Sequence, residues 1–403
     1  MIKYTDIQRF FFKINSIDFV RSLFIFEVVI LMFSTAAAVI AEVLIYSAFI
    51  MMPRLRNRIF FGLKQPMVVM ALVFYAMVSL GVFYSAAPFS ESVDMWASWR
   101  KLLLIPLAAS VYTDFVWKQR LVNVFIVIGT LAALLSFIGY IFDFGICKFS
   151  QGIVMEHHAT QGMLFSVVIF ACLVQLCLSP SSNSAVNWLL KLSAIVLTLN
   201  ILFVTPGRSG YLALIVLVMI FIFFVVQRRI RSIIIVLAPL VILALLLVSP
   251  VAQKRIFKGI DEIKNYEQSD EITSMGFRII MWKNTIQLLK CHEHFVLGYG
   301  TGGFETAYRK QVKDHKGWQG EPVGDPHNQY LRILVEYGFI GIIVFLFFIF
   351  SFFKQNIKGP FYILGIGVVL AWCATSMFSA HFTTFVEGRF LMVWCSTLLS
   401  VDT

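Results

Sequence analysis

The sequence predicts an all-α, polytopic membrane protein with about twelve transmembrane helices, or eleven on an alternative reading, and one long outer loop containing amphipathic helices. Three observations carry this expectation. Hydrophobic residues make up 59% of the chain and charged residues 14%, against about 45–50% and about 25% in soluble domains. Apolar runs of spanning length, roughly 17–25 residues, recur along it. The lysines and arginines between those runs fall in alternate loops, as membrane topology requires. High hydrophobicity with low charge excludes disorder. Six cysteines in 403 residues are too sparse for a disulfide scaffold.

The elements follow in order. Region 22–52 holds Glu27 and Glu42 and is long for one upright helix but short for two. Basic residues on both sides, Lys3, Arg9 and Lys13 before it and Arg54, Arg56, Arg58 and Lys64 after it, favour a pair of short spans with a cytoplasmic start. One long tilted helix is the eleven-span alternative. No small-residue cleavage pattern follows the first apolar run, so a removed signal peptide is not expected. Further spans are predicted at 66–86, 101–116, 121–142, 159–179, 187–205, 209–226, 232–249, 331–353, 360–380 and 389–401. Lys118 with Arg120, Arg228 with Arg229 and Arg231, and Lys354 with Lys358 mark the remaining cytoplasmic loops. These loops absorb much of the net charge of +11. Because the cations are scattered rather than gathered on one domain, no nucleic-acid partner is expected.

The pattern divides the chain into N-terminal spans 1–249, an outer loop domain 250–330 and C-terminal spans 331–403. In the loop, 251–267 places Val251, Ile256, Ile260 and Ile263 at helical spacing, the pattern of an amphipathic helix at a membrane surface. Segment 276–290 repeats it with Phe277, Ile280, Met281, Ile286 and Leu289. A Gly- and Pro-rich stretch, 298–327, must turn often.

Ionisable residues near the membrane are the first functional candidates, because they are costly there unless paired. Arg208, just after Pro206 and Gly207 between two spans, can fork onto phosphate oxygens or snorkel to headgroups as an anchor. Arg278 lies on the second amphipathic stretch, where a solvated face is the plainer reading. His327 precedes span 331–353 at the outer surface. It can act as a general base or bond a turn carbonyl. Arg100 and Lys101 fall at an outer span end, where they can bind anions or anchor to headgroups; His381 and Arg389 flank the last outer loop.

These positions occur in an order that resembles the O-antigen ligase and polymerase superfamily of bacterial envelope glycosyltransferases. Arg208-Ser209-Gly210-Tyr211-Leu212 is similar to the family's Arg-x-x-x-Leu at an outer span junction. Arg278 follows Gly276-Phe277 at the opening of an outer-loop helix. Leu297 to Phe304, with Tyr299 between glycines, is similar to the family's glycine-rich turn. Pro326-His327-Asn328-Gln329-Tyr330-Leu331, with Glu336-Tyr337-Gly338 behind it, is similar to the His-Asn signature.

The resemblance implies a GT-C-like architecture in the bacterial inner membrane, with the active site facing the periplasm. It implies an O-antigen ligase that moves a glycan from undecaprenyl diphosphate to the outer sugar of lipid A–core. Inversion at the anomeric carbon and no metal or other cofactor are expected. Arg208 and Arg278 would bind the diphosphate and His327 would take the acceptor proton. Arg100, Lys101, Asn328 and Tyr299 would add substrate contacts. A polymerase that lengthens the carrier-bound glycan, a protein-directed oligosaccharide transferase and a secondary transporter are the competing readings. The last should show paired broken helices near the bilayer centre.

Other features read more plainly. Cys291-His292-Glu293-His294 could ligate zinc, but the resemblance makes it a turn before the glycine-rich stretch. Cys147 and Cys291 are both expected outside and could pair; Cys172, Cys177, Cys373 and Cys395 read as small apolar span residues. His157 and His158 read as an interfacial anchor, with a sugar contact as the alternative. The glycines of 298–303 lack the βαβ setting of a nucleotide fingerprint and should supply turns with positive φ.

Overall fold

A computed structural model describes residues 16–143, 151–264, 273–290, 294–315 and 320–401. Among them every regular element is a helix. Lys3, Arg9, Lys13, Cys147 and the Cys291-His292-Glu293 part of the suspected metal turn lie outside the described residues.

Region 22–52 forms a helical pair, α1 (Ser16–Ile30) and α2 (Thr35–Met51). Ser34 caps α2 by accepting the Ala37 N–H at 3.2 Å. The basic loop becomes α3 (Pro53–Gly62), and its first part is bent 91° from α2. α4 (Pro66–Phe83) is a regular apolar helix with proline in its first turn. The predicted span 101–116 is broken: α5 (Phe89–Ser98), a 3-10 turn at Trp99–Leu103 and α6 (Leu104–Val111) follow one another.

Next come α7 (Phe115–Ile141), α8 (His158–Leu178), α9 (Ser184–Phe203), α10 (Arg208–Val225) and α11 (Arg228–Val248). Asp114, His157 and Asn183 cap the first three of these with their side chains. α15 (Gln329–Phe353), α16 (Pro360–Thr375) and α17 (Phe385–Leu399) complete the bundle. Between α11 and α15 the chain forms α12 (Pro250–Lys264), α13 (Ser274–Leu288) and α14 (Gly303–Val312). These three lie over one end of the bundle, called the capped end below.

Seven helices among the described residues are long and apolar enough to cross a membrane, or eight if the bent pair counts as one span. The expected twelve is not reached by that measure. The physical reason is length. α1, α2, α6, α16 and α17 run to 15, 17, 8, 16 and 15 residues, at or below the lower end of the roughly 17–25 residues that cross ~30 Å of hydrocarbon.

α8 and α10 approach most closely through glycines. A Cβ on Gly210 would stand 2.7 Å from Gly162 Cα, so only small residues permit this crossing. Ser166 Oγ stitches it by donating to the Gly210 carbonyl at 3.0 Å. α11, by contrast, buries only Leu246. An apolar cleft of about 580 Å³, lined by Val216, Ile220, Phe223, Phe353, Tyr362 and Ile366 among others, opens beside it.

The capping segment has a small core of its own. Met281, Leu288, Phe304, Ala307, Tyr308 and Val312 pack on Val335 of α15. α12 is amphipathic as expected, but its protein-buried side is Ala252, Gly259 and Glu262. Phe257, Ile260 and Ile263 face outward, the orientation of a helix that lays its apolar side on a lipid surface. The glycine-rich stretch turns as expected, with Gly298 at φ +69°. A Cβ there would meet the Val335 carbonyl at 2.5 Å. Tyr299 and Gly300 donate their N–H groups to the carbonyls of Val335 and Glu336 at 2.9 and 2.8 Å. α15 breaks its helical geometry at Gly338, φ +61°.

Candidate functional site

The glycine crossing with α8 brings the first residue of α10 to the capped end. That residue is Arg208. Its guanidinium packs against α12, where a Cβ on Gly259 would stand 3.0 Å from Nη1. Its Nη2 reaches Glu262 Oε2 at 3.6 Å, a loose contact, and the side chain remains one-third exposed. The same Glu262 oxygen accepts the Met275 N–H at 3.0 Å, in the first turn of α13, where a helix favours an anion. Thr273 caps that helix through the Gly276 N–H at 3.2 Å. Glu262 thus couples Arg208 to the helix that carries Arg278.

One turn beyond Arg278 on the same face, Trp282 donates Nε1–H to the Pro326 carbonyl at 2.9 Å. This bond pins α13 to the turn that presents His327. Arg278 is half-buried, and that burial, with the Arg208 charge near it, lowers its pKa from the ordinary arginine value. Glu262 and Asp325 act in the opposite sense.

His327 sits at φ +48°, a left-handed conformation that costs a non-glycine residue of order 1–2 kcal/mol. The turn is held by Asp325, whose Oδ1 accepts the His327 N–H at 2.6 Å. Its Oδ2 takes Arg332 Nη1 at 2.8 Å, and Arg332 Nε reaches Glu336 at 3.4 Å. Strain maintained by such a network is a mark of functional positions. Burial lowers the His327 pKa; Asp325 raises it, and Arg278 and Arg332 lower it further. The neutral imidazole, the form a general base needs, is therefore favoured.

The structure brings Arg208, Arg278 and His327 into one electrostatic cluster with Glu262 and Asp325. Asn328 caps α15, accepting from the Tyr330 and Leu331 N–H groups at 3.0 and 3.1 Å, and donates Nδ2 to the Met377 carbonyl at 3.0 Å. Tyr299 stacks on His294 with centroids 3.9 Å apart and packs on the small capping core. Arg100 stands apart from the cluster and pairs with Glu42 of α2 at 3.5 Å. Lys101 is fully buried and donates to the Thr383 and Thr384 carbonyls at 2.6 and 3.0 Å. It fastens the turn between α16 and α17 instead of facing an open anion surface. Arg389 is closed by both oxygens of Glu42. His157 accepts the Ala159 N–H at 3.2 Å as the cap of α8.

Sequence reasoning did not single out Asp325, Arg332 or Glu262. Asp325 and Arg332, opposite charges flanking the His-Asn turn, carried a readable signal. Glu262 did not, because its partners come from two other helices.

Fold and site together define a multi-pass helical membrane protein with two arginines and a histidine gathered at one end of its bundle. Residues 193–346 match the family described as O-antigen ligase. This match supports a place for the chain in the O-antigen ligase and polymerase superfamily. The match contains Arg208, Arg278 and His327. An uncharacterized protein of Haemophilus influenzae is 29% identical over 174 residues, covering 41% of this chain and 43% of the relative. The matched region spans less than half of that relative's length.

Proposed function

We propose that the protein is an O-antigen ligase. It takes a glycan from undecaprenyl diphosphate and joins it to the outer sugar of lipid A–core, at the periplasmic face of the bacterial inner membrane. The convergence of Arg208, Arg278 and His327 at one end of the bundle carries this reading. In the proposed reaction His327 accepts the proton of an acceptor hydroxyl as that oxygen attacks the anomeric carbon. The bond from that carbon to the diphosphate oxygen breaks, and undecaprenyl diphosphate leaves with the bonding electrons. In-line attack inverts the anomeric configuration.

Arg208 and Arg278 bind the diphosphate and offset the charge that develops on it. Fixed cationic donors aimed at developing charge are a strong catalytic device, so the reaction needs no metal. The loose Arg208–Glu262 contact supports this role, since a guanidinium with open donors can still fork onto phosphate.

In this reading the chain makes twelve crossings in a GT-C-like architecture, several of them by short helices. Spans 1–249 and 331–403 flank a periplasmic domain at 250–330, and the basic loops stay in the cytoplasm.

A silver-stained lipopolysaccharide gel of a strain lacking the gene tests the proposal. A ligase mutant leaves the core without polymeric glycan and accumulates that glycan on undecaprenyl diphosphate. A single repeat retained on the core would identify a polymerase instead.

A further inference from the structure

The turn between α16 and α17 docks directly on the His327 turn. Gln329 donates its N–H to the Ser376 carbonyl at 2.9 Å. Tyr330 Oη donates to the Cys373 carbonyl at 2.8 Å, and Thr383 Oγ1 to Gln329 Oε1 at 3.0 Å. From behind, Lys101 clamps the same turn through its two carbonyl bonds.

At this junction several polar atoms are buried without a hydrogen-bond partner among the described residues. They are both ring nitrogens of His381, Nε2 of Gln329 and Oγ of Ser376. His381 is 3% exposed, and Gln329 and Ser376 are fully buried. Such atoms are rare in folded proteins, and each costs about 1–3 kcal/mol when left unsatisfied. The cluster also adjoins the candidate chemistry, because His381 lies within the electrostatic reach of Arg278, Asp325 and His327.

The kind of atom identifies the ligand. Burial lowers the His381 pKa, and a neutral imidazole offers one N–H donor and one bare acceptor nitrogen. Gln329 Nε2 adds donors, and a serine hydroxyl both donates and accepts. A phosphate oxygen can only accept and would leave the bare nitrogen of His381 unmatched. A sugar hydroxyl donates and accepts, and matches all of them. We propose that His381, Gln329 and Ser376 form a subsite that binds pyranose hydroxyls next to His327, separate in chemistry from the arginine pair that takes the diphosphate. This deepens the ligase reading and rests on it for the identity of the sugars. Either the donor glycan or the core acceptor could supply the hydroxyls.

The test uses the full chain in lipid nanodiscs. Saturation-transfer NMR measures binding of free core oligosaccharide and, separately, of free O-unit oligosaccharide. Binding of sugar-free undecaprenyl diphosphate is measured alongside. His381→Ala and Ser376→Ala should each weaken one oligosaccharide by about tenfold, the worth of one hydrogen bond of ~1.4 kcal/mol. Binding of undecaprenyl diphosphate should be unchanged. His381→Asn, which keeps a donor and an acceptor, should recover part of the loss. The oligosaccharide that weakens identifies the source, and in turnover its KM should rise more than kcat falls.

Unchanged binding of both sugars in His381→Ala and Ser376→Ala would overturn the subsite. So would an equal loss of undecaprenyl diphosphate binding, which would make it part of the anion site. If His381→Ala does not fold, His381→Asn and Ser376→Ala carry the test. If the wild-type protein binds the sugars through His381 yet transfers none to lipid A–core, the ligase reading fails while the subsite stands.

Discussion

Two groups of charge among the described residues differ in their bonding. In the first, Arg389 of α17 is 3% exposed and meets both oxygens of Glu42, a residue that also takes Arg100 at 3.5 Å. Lys101 and Lys118 end on backbone carbonyls, Lys118 on those of Leu398 and Ser400. Arg389, Lys101 and Lys118 are occupied, and they tie α17 and its flanking turns to the rest of the bundle. In the second group, at the capped end, Arg208 keeps one loose contact at 3.6 Å and one-third of its side chain exposed. Arg278 stands beside another cation, and the ring nitrogens of His381 have no hydrogen-bond partner among the described residues. A cation near a membrane is therefore weak evidence of a site by itself. Bonding capacity left open is stronger evidence, because a ligand can use it.

This contrast can be broken by mutation. The largest effect is expected from His327→Ala, with a loss of about 10²–10⁴-fold in transfer, the range of general-base catalysis. The protein should still insert and melt as wild type, and wild-type transfer would exclude His327 as the base. Next, Arg208→Lys and Arg278→Lys should each lose about 10²–10³-fold in kcat, since lysine lacks the planar fork. Full activity in both would end the diphosphate assignment.

Arg389→Ala belongs to the other group and should fail differently. Leaving Glu42 buried without its principal partner costs roughly 3–5 kcal/mol, read as a lower melting temperature and poorer yield. A variant that stays stable but inactive would move Arg389 into the site.

A smaller effect concerns pH. Asp325 raises the His327 pKa, so Asp325→Asn should lower it. Activity that needs the neutral imidazole would then persist to lower pH, and the acid limb of the profile should move down. An upward shift would contradict the assigned electrostatics. The smallest expected effect is none: EDTA should leave transfer unchanged, and loss restored by a divalent ion would reopen a metal-dependent mechanism.

Parts of the site were legible in the sequence because they are local. Arg208 follows a Pro-Gly turn, and His327 and Asn328 stand at the start of an apolar run, where order along the chain already says what lies at a span end. The amphipathic pattern of α12 was also legible, but which side would meet the protein was not. Its buried face includes a glycine and a glutamate that receive Arg208. Lys101 looked like a free cation at a span end. Only the fold reveals the two carbonyls that occupy it, 282 and 283 residues further along the chain.

The arithmetic of hydrophobic and basic residues was sufficient for a helical membrane protein, since backbone hydrogen bonds must be satisfied within each span wherever water is absent. It could not decide how many helices reach spanning length, because the break at 99–103 sits where Lys101 is drawn onto the distant Thr383 and Thr384 carbonyls. Nor could it decide which charges are paired. Pairing depends on which faces of α2, α10, α12, α13 and α17 meet, and only tertiary packing brings Glu42 to Arg389 and leaves Arg208, His327 and His381 together at the capped end.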